Sequence, residues 1–479
     1  MPVKEPSIIN EQKNLKAPKT NNLTTFLYDI FKQPPALPVT KSRDEIKKEY
    51  AHWRLRIFYA VFIGYVTFYI CKKNIAVVLP VMGTSLGYSN TELGLLGSSL
   101  YLTYAILADC SNVRSFLPTA LILSAIANIC FVASTLFITP GKFTFFGLPS
   151  ATILLWVLAF FWGCNGWVQS MGFPAIAKSL TFWYSNNERG MKWSFWSTSH
   201  QTGTFLSIII SGFVISHFGW KAAFYMPAIF SILVSAFLFD RLRDKPSALG
   251  LPDIEEYREP ESITACKLEN SETDENQSYF EIFKKYILCN KAMWMLAFAY
   301  IFVYIIRFGT EDWIVKYLVE VKKNSLATAA WKLSFLPLFG IIGTISAGYF
   351  SDKIFKGRRT PINVIFLLGV IFSIIGLKMN ASSQTLDFLF LAMIGIFTYG
   401  PQMLIGGLCA VESSSKKVAS ASTGFTGSFG YIGAILSGVG TGTIIDKFGW
   451  NGALYFWIAS AVICILICLP MWNHKSSCK

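Results

Sequence analysis

Two stretches decide how this chain folds: Tyr65-Val-Thr-Phe-Tyr69-Ile-Cys-Lys72 and Tyr300-Ile-Phe-Val-Tyr304-Ile-Ile-Arg307. The second repeats the pattern of the first at a displacement of 235 residues (300 less 65). On a helix, positions i, i+4 and i+7 share one face. Each stretch therefore turns two phenols and one cation to the same side. Both cations lie deep in apolar sequence, where an ionisable residue is costly and marks a functional site by default. A snorkelling position near a helix end is the plainer alternative for each. Two such cations related by an internal repeat suggest a cage for an anion.

The composition extends this reading to the whole chain. It is 53% hydrophobic, 16% aromatic and 15% charged, too apolar for a soluble protein of 479 residues. Apolar stretches long enough to cross a bilayer recur along it. They fall near 54–83, 90–109, 113–138, 149–178, 190–217, 221–240, 290–318, 325–352, 361–379, 386–410, 417–446 and 449–472. The expected fold is an all-α membrane protein of twelve transmembrane helices in two pseudo-symmetric six-helix bundles. The bundles are 54–240 and 287–472. A cytoplasmic arm, 1–53, precedes them, a polar linker, 241–286, joins them, and a cytoplasmic tail, 473–479, follows. The arm is read as partly disordered and the acidic linker as a solvated connection.

The net charge of +14 does not point to nucleic acid, because the basic residues form no patch on a soluble module. They sit in alternate loops: Arg54 and Arg56, Arg114, Arg189 and Lys192, Arg241 to Lys245, Lys353 to Arg359, Lys416 and Lys417. The positive-inside rule makes those loops and both termini cytoplasmic, with Lys322 and Lys323 the exception on the other side. Ten scattered cysteines show no CxxC pair, and no His/Cys cluster has metal spacing, so they read as small packing residues. No cofactor or metal is implied. Gly83-Thr-Ser85-Leu-Gly87 matches GxSxG but ends an apolar helix, and no Walker A sequence is present. The chain therefore reads as a secondary transporter, not an enzyme or an ATP-driven pump.

The halves echo each other again at His217-Phe-Gly-Trp and Lys447-Phe-Gly-Trp. Such repeats describe parallel halves with a site at their interface. They also expose a shortfall. Asp352 lies 45 positions after Arg307, whereas Asp109 lies 37 after Lys72. Helix two therefore lacks about eight residues, or about 12 Å of rise.

Lys72 and Arg307 lead the candidate substrate-binding residues, with Tyr65, Tyr69 and Tyr304 beside them and Tyr300 on the same stripe. Lys73, about 100° round the helix from Lys72, is held in reserve. Glu311, at i+4 from Arg307, can pair with it in the absence of ligand. Asp312 lies off that face. Both carboxylates are candidates for gating or for a structural charge pair. His200 sits in Trp196-Ser-Thr-Ser-His-Gln-Thr-Gly. A lone histidine more often packs than binds, but the surrounding hydroxyls suggest a wet cavity. Gly424, Gly427, Gly430 and Gly433 let helices approach.

Six segments together carry a resemblance: GYVTFYICKKN at 64–74, GFPAIAKSLTFWYSNNERG at 172–190, FWSTSHQTG at 195–203, RLRDKPSALGLPDIEEY at 241–257, YGPQMLIGG at 399–407 and STGFTGSFGYIG at 422–433. The chain resembles the organophosphate:phosphate antiporters of the major facilitator superfamily, especially bacterial hexose-phosphate transporters and the related sugar-phosphate receptors. The resemblance covers about Tyr50 to Trp472. It implies exchange of a phosphate monoester for inorganic phosphate by alternating access in the inner membrane. It also implies that the phosphate-holding arginine of helix seven is Arg307 and that the helix-one position falls on Lys72. The family histidine falls on His200 and the acidic residue after the helix-seven arginine on Asp312. The chain departs from the family at Lys72, at Cys110 after Asp109, and in the missing stretch of helix two, which normally includes a lysine facing the pathway. The expected cargo is hexose 6-phosphate, with glycerol 3-phosphate or a non-transporting receptor as alternatives. A decayed, inactive copy is a third. A protein partner is expected only for a receptor.

Overall fold

The computed structural model describes residues 31–32, 34–104, 112–145, 147–258, 281, 283–380, 383–413 and 418–472. Asp109, Cys110, Lys416, Lys417, most of the N-terminal arm, residues 259–280 and 282 of the expected linker and the 473–479 tail lie outside the described residues.

Among the described residues the architecture is helical, with one small hairpin pairing Thr144–Phe145 with Leu148–Pro149. Ten helical stretches among the described residues are long and apolar enough to span a bilayer, and the last, Ala421–Met471, contains two spans. Gly449, at φ +68°, ψ −172°, divides those two; a side chain there would strain the left-handed backbone. Adding the short helix Asn90–Tyr104 gives twelve spans.

In order, spans one to six are Arg43–Leu86, Asn90–Tyr104, Val113–Phe137, Ser150–Trp183, Asn186–Phe218 and Ala222–Arg241. Span seven is Lys291–Glu320, span eight Leu326–Lys353, span nine Thr360–Met379 and span ten Gln384–Cys409. Span eleven begins at Ala419 and passes through a wide-turn segment, Leu436–Gly440, before Gly449; span twelve follows. Spans one to six pack chiefly among themselves, as do seven to twelve. The halves meet where span five packs on eight, two on eleven and one on seven.

Span one begins well before the apolar stretch at 54. Ser42 and Glu45 form a capping box that starts the helix at Arg43. Its polar first turns are anchored by Ile46 and Tyr50, both buried. Tyr50 stacks on Tyr257 at 4.5 Å and donates to the Pro252 carbonyl. Leu251 and Ile254 are buried in the same cluster. The first part of the expected solvated linker is therefore docked on the first half, because its apolar residues have a helix to cover. Gly87, at φ +72°, ends span one, so the GxSxG match is a helix terminus.

The exception to the charge rule also has a physical cause. The Lys322 side chain is 7% exposed and lies 3.3 Å from Asp387, which also pairs with buried Lys332 at 3.2 Å. Lys322 is thus an internal ion-pair partner and not a free loop charge. Large side chains such as Phe137 and Phe160 remain exposed on the outside of the bundle, as a lipid-facing surface requires.

Span two is described as the 15 residues Asn90–Tyr104, about 22 Å of rise, and residues 105–111, which include Asp109, lie outside the described residues. The described part is tightly held. A Cβ at Gly94 would collide with the Gly438 carbonyl on span eleven. The wide turns there leave backbone groups that Ser98 completes, donating to the Ile435 carbonyl at 2.7 Å and accepting from Val439 N–H at 3.0 Å.

Candidate functional site: a charged cage between the halves

Span one carries two adjacent lysines inside the bundle, and its local backbone explains their placement. The Ile75 N–H bonds to the Asn74 side chain at 3.0 Å, while the Cys71 carbonyl accepts from Asn128 at 3.3 Å and Asn165 at 3.1 Å. Amides of spans three and four thus grip the turn that bears Lys72 and Lys73. Ser124 and Gln169 complete that network through the Asn165 side chain.

Five charged side chains meet at the boundary between halves. Lys72, Lys73, Arg307, Glu311 and Asp312 are all buried, none more than 8% exposed. Lys73 crosses from span one to span seven, with Nζ 2.8 Å from Glu311 Oε2 and 2.7 Å from Asp312 Oδ1. Tyr101 of span two donates to Asp312 Oδ2 at 2.7 Å. Arg307 donates through Nε to Glu311 Oε1 at 3.1 Å, and Tyr399 of span ten donates to the same oxygen at 2.6 Å. The (i, i+4) pairing read from the sequence is therefore present. Lys73, held in reserve as a substrate ligand, does lie off the phenol stripe, and that rotation carries it to the carboxylates of the facing helix. Asp312 leaves the Arg307 face for the same reason.

Lys72 makes no ion pair among the described residues. Its Nζ sits over the rings of Tyr104 at 3.9 Å, Tyr69 at 5.4 Å and Tyr101 at 5.6 Å. Arg307 lies over Phe308 and Tyr399, each at 4.9 Å, and its buried Nη2 has no hydrogen-bond partner. A buried guanidinium donor without an acceptor is costly unless something visits it.

Aromatic residues line the cage. Tyr65 lies 5.3 Å from Tyr69 and 4.8 Å from Trp196, centroid to centroid. Tyr304 bonds to Tyr300 at 3.2 Å and faces Tyr431, which also meets Tyr104 at 5.0 Å. Tyr300 itself is wedged against Gly406 and Gly430, so its ring packs within its own half. His200 stands between the halves, 5.7 Å from Tyr69 and 6.2 Å from Tyr399. Its Nδ1 meets the Ser197 carbonyl, which can only accept, so Nδ1 carries the proton and Nε2 remains available. The structure thus gathers Lys72, Arg307, Tyr65, Tyr69, Tyr304, His200, Glu311 and Asp312 in one region. Sequence reasoning passed over Tyr101, Tyr104, Tyr399 and Tyr431; the spacing Tyr101-x2-Tyr104 in so short a span was the available signal.

One end of the cage is sealed. Asp446 at the end of span eleven accepts from Asn90 N–H at 3.1 Å, Thr91 N–H at 2.7 Å and Thr91 Oγ1 at 2.6 Å. Lys316 reaches Asn90 and pairs with Glu320 at 3.0 Å. Between this seal and Lys72, a cavity of about 10 Å³ bounded by Leu79, Leu93, Trp162 and Trp313 has room for about one water. The other end faces the basic loops. There Arg54 pairs with Glu188, Arg56 with Asp240 at 2.6 Å and Arg359 with Glu412 at 2.7 Å, each within its own half.

Comparison with known proteins agrees with this arrangement. The sequence profile of the Major Facilitator Superfamily matches residues 61–438. A probable hexose phosphate transport protein of Chlamydia muridarum is 41% identical over 458 residues, covering 93% of this chain and 96% of that protein. The glycerol-3-phosphate transporter of Bacillus subtilis and the membrane sensor protein UhpC of Escherichia coli are each 35% identical, covering 93% of this chain and 98% of theirs. Among solved structures, a D-xylose–proton symporter superposes with TM-score 0.65 at 14% identity, covering 88% of this chain and 98% of that one. An inward-facing bacterial homologue of the lysosomal transporter Spinster gives 0.63 at 16%, covering 88% and 97%. These structures share the fold. The profile match and the sequence relatives establish that this multi-pass membrane protein belongs to the organophosphate:phosphate antiporter family of the major facilitator superfamily.

Proposed function

We propose that this protein exchanges a phosphate monoester, chiefly a hexose 6-phosphate, for inorganic phosphate across the bacterial inner membrane. The observation that carries the reading is the buried, unpartnered Arg307 Nη2, together with a Lys72 ammonium that has only aromatic faces around it. A phosphate oxygen satisfies both. Arginine offers a planar fork, whereas Lys72 acts as a point charge. The phosphoryl group is common to both cargoes, so one cage serves both directions. Tyr65, Tyr69 and Tyr304 supply hydrogen bonds and ring faces for the remainder of the cargo. His200 offers Nε2 to a sugar hydroxyl.

Alternating access follows from how the halves touch. With the basic loops and both termini assigned to the cytoplasm, the Asp446–Asn90 seal is periplasmic and the cage faces inward. Cargo at the midplane draws the two halves together, and the seal opens as the cytoplasmic ends close. Glu311 and Asp312 take part in this gating through Lys73.

Competition tests the reading: labelled inorganic phosphate uptake into phosphate-loaded proteoliposomes, challenged with hexose 6-phosphate, glycerol 3-phosphate and phosphoglycerate. Hexose 6-phosphate is expected to compete best, and failure of every monoester to compete refutes the proposal. A sugar-phosphate receptor is the second reading, favoured by the likeness to a sensor protein and by the short interval from Lys72 to Asp109 in the sequence. Saturable binding without flux would establish it instead.

A further inference from the structure

We infer that Glu311 is a built-in counter-anion that lets the empty cage change sides, so that the carrier moves phosphate one way without return cargo as well as by exchange. The inference rests on the exchange reading above and adds a second activity to it.

The cage holds three cations, Lys72, Lys73 and Arg307, and two carboxylates, Glu311 and Asp312, all buried. The lysines come from the first half; the arginine and both carboxylates come from the second. Were the cations to face each other with nothing between them, closing an empty cage would press like charges together at low dielectric. That repulsion is what would make cargo obligatory, since only a phosphate could relieve it. Here the relief is already present. Lys73 bridges the halves to both carboxylates at 2.8 and 2.7 Å.

The two carboxylates do different work. Asp312 is engaged by Lys73 and Tyr101, so it serves the first half's charge alone. Glu311 touches Lys73 and Arg307 together and is steadied by the Tyr399 hydroxyl. It therefore neutralises cations of both halves at once, which is the role cargo plays in exchange. The charge sum also changes what cargo must supply. Three cations against two carboxylates leave a formal charge of +1, which a monoanion balances. A ligand that stabilises closure contributes only its differential interaction. Glu311 shrinks that difference by stabilising the closed, empty state in advance. The consequence is slower but real return of the unloaded carrier.

The test uses the full-length protein in liposomes loaded with labelled inorganic phosphate. The liposomes are diluted into medium with unlabelled phosphate, or into medium free of phosphate and phosphate esters. Potassium with valinomycin on both sides dissipates the potential that net anion movement creates. Wild-type protein is expected to release label fast in the first medium and more slowly, yet well above protein-free liposomes, in the second. Glu311→Gln is expected to lower the ratio of net release to exchange on the order of ten-fold or more, whatever its effect on the exchange rate itself. Wild-type exchange without net release overturns the inference and leaves exchange standing. So does a Glu311→Gln variant that keeps its net release, or that loses both arms in equal proportion. Wild-type protein inert in both arms overturns the exchange reading and this inference with it.

Discussion

Lys73 on span one and Asp312 on span seven meet at 2.7 Å across the boundary between the two halves, in a pair sealed from solvent. Removing one partner of such a pair leaves the other charge buried and uncompensated, which costs about 3–5 kcal/mol. Lys73→Met is therefore expected to lower the thermal midpoint of the detergent-solubilised protein markedly. Lys73→Met with Asp312→Asn is expected to recover part of the loss, because the uncompensated charge is gone. Size-exclusion profiles after graded heating provide the measurement, and a double variant no better than the single one contradicts the assignment.

Asp446 closes the far side by capping the first backbone N–H groups of span two. A helix cap of this kind contributes about 0.5–2 kcal/mol, enough to shift a two-state balance by about two- to thirty-fold. Asp446→Ala is expected to favour the state open to that side. Leu93→Cys, placed under the seal, is then labelled faster by a membrane-impermeant maleimide in the Asp446→Ala background than alone. Equal labelling rates would show that the cap does not hold the seal.

His200 separates the two cargoes by what it offers them. Its Nδ1 is committed to Ser197, and the exchange reading proposed above gives Nε2 to the part of the cargo that inorganic phosphate lacks. A single neutral hydrogen bond is worth about 0.5–1.5 kcal/mol. His200→Ala is expected to raise the KM for hexose 6-phosphate by about five-fold while leaving that for inorganic phosphate nearly unchanged. An equal rise for both would place the histidine in the scaffold.

The repeat made much of this molecule legible in the sequence. Matching phenol and cation spacing pointed to Lys72 and Arg307, while the short interval before Asp109 concerns a stretch outside the described residues. Lys73 was harder, because a single helix shows which residues share its face but not which helix stands opposite. Its partners lie 239 positions or so along the chain, and only packing brings them near. The early start of span one was hidden by polar turns whose burial depends on Leu251, Ile254 and Tyr257 docking from beyond span six. Tyr104 and Tyr431 were hidden for the same reason, since each is an ordinary aromatic until the halves meet.

The cage is tested most directly by counterflow of labelled hexose 6-phosphate into phosphate-loaded proteoliposomes, comparing the native protein with Arg307→Ala. Truncating one member of a buried charged contact costs about 2–5 kcal/mol. Internal phosphate is therefore expected to accelerate uptake several-fold in the native protein, and the arginine variant to lose that acceleration at equal protein abundance. Undiminished, phosphate-stimulated uptake by Arg307→Ala would contradict the account.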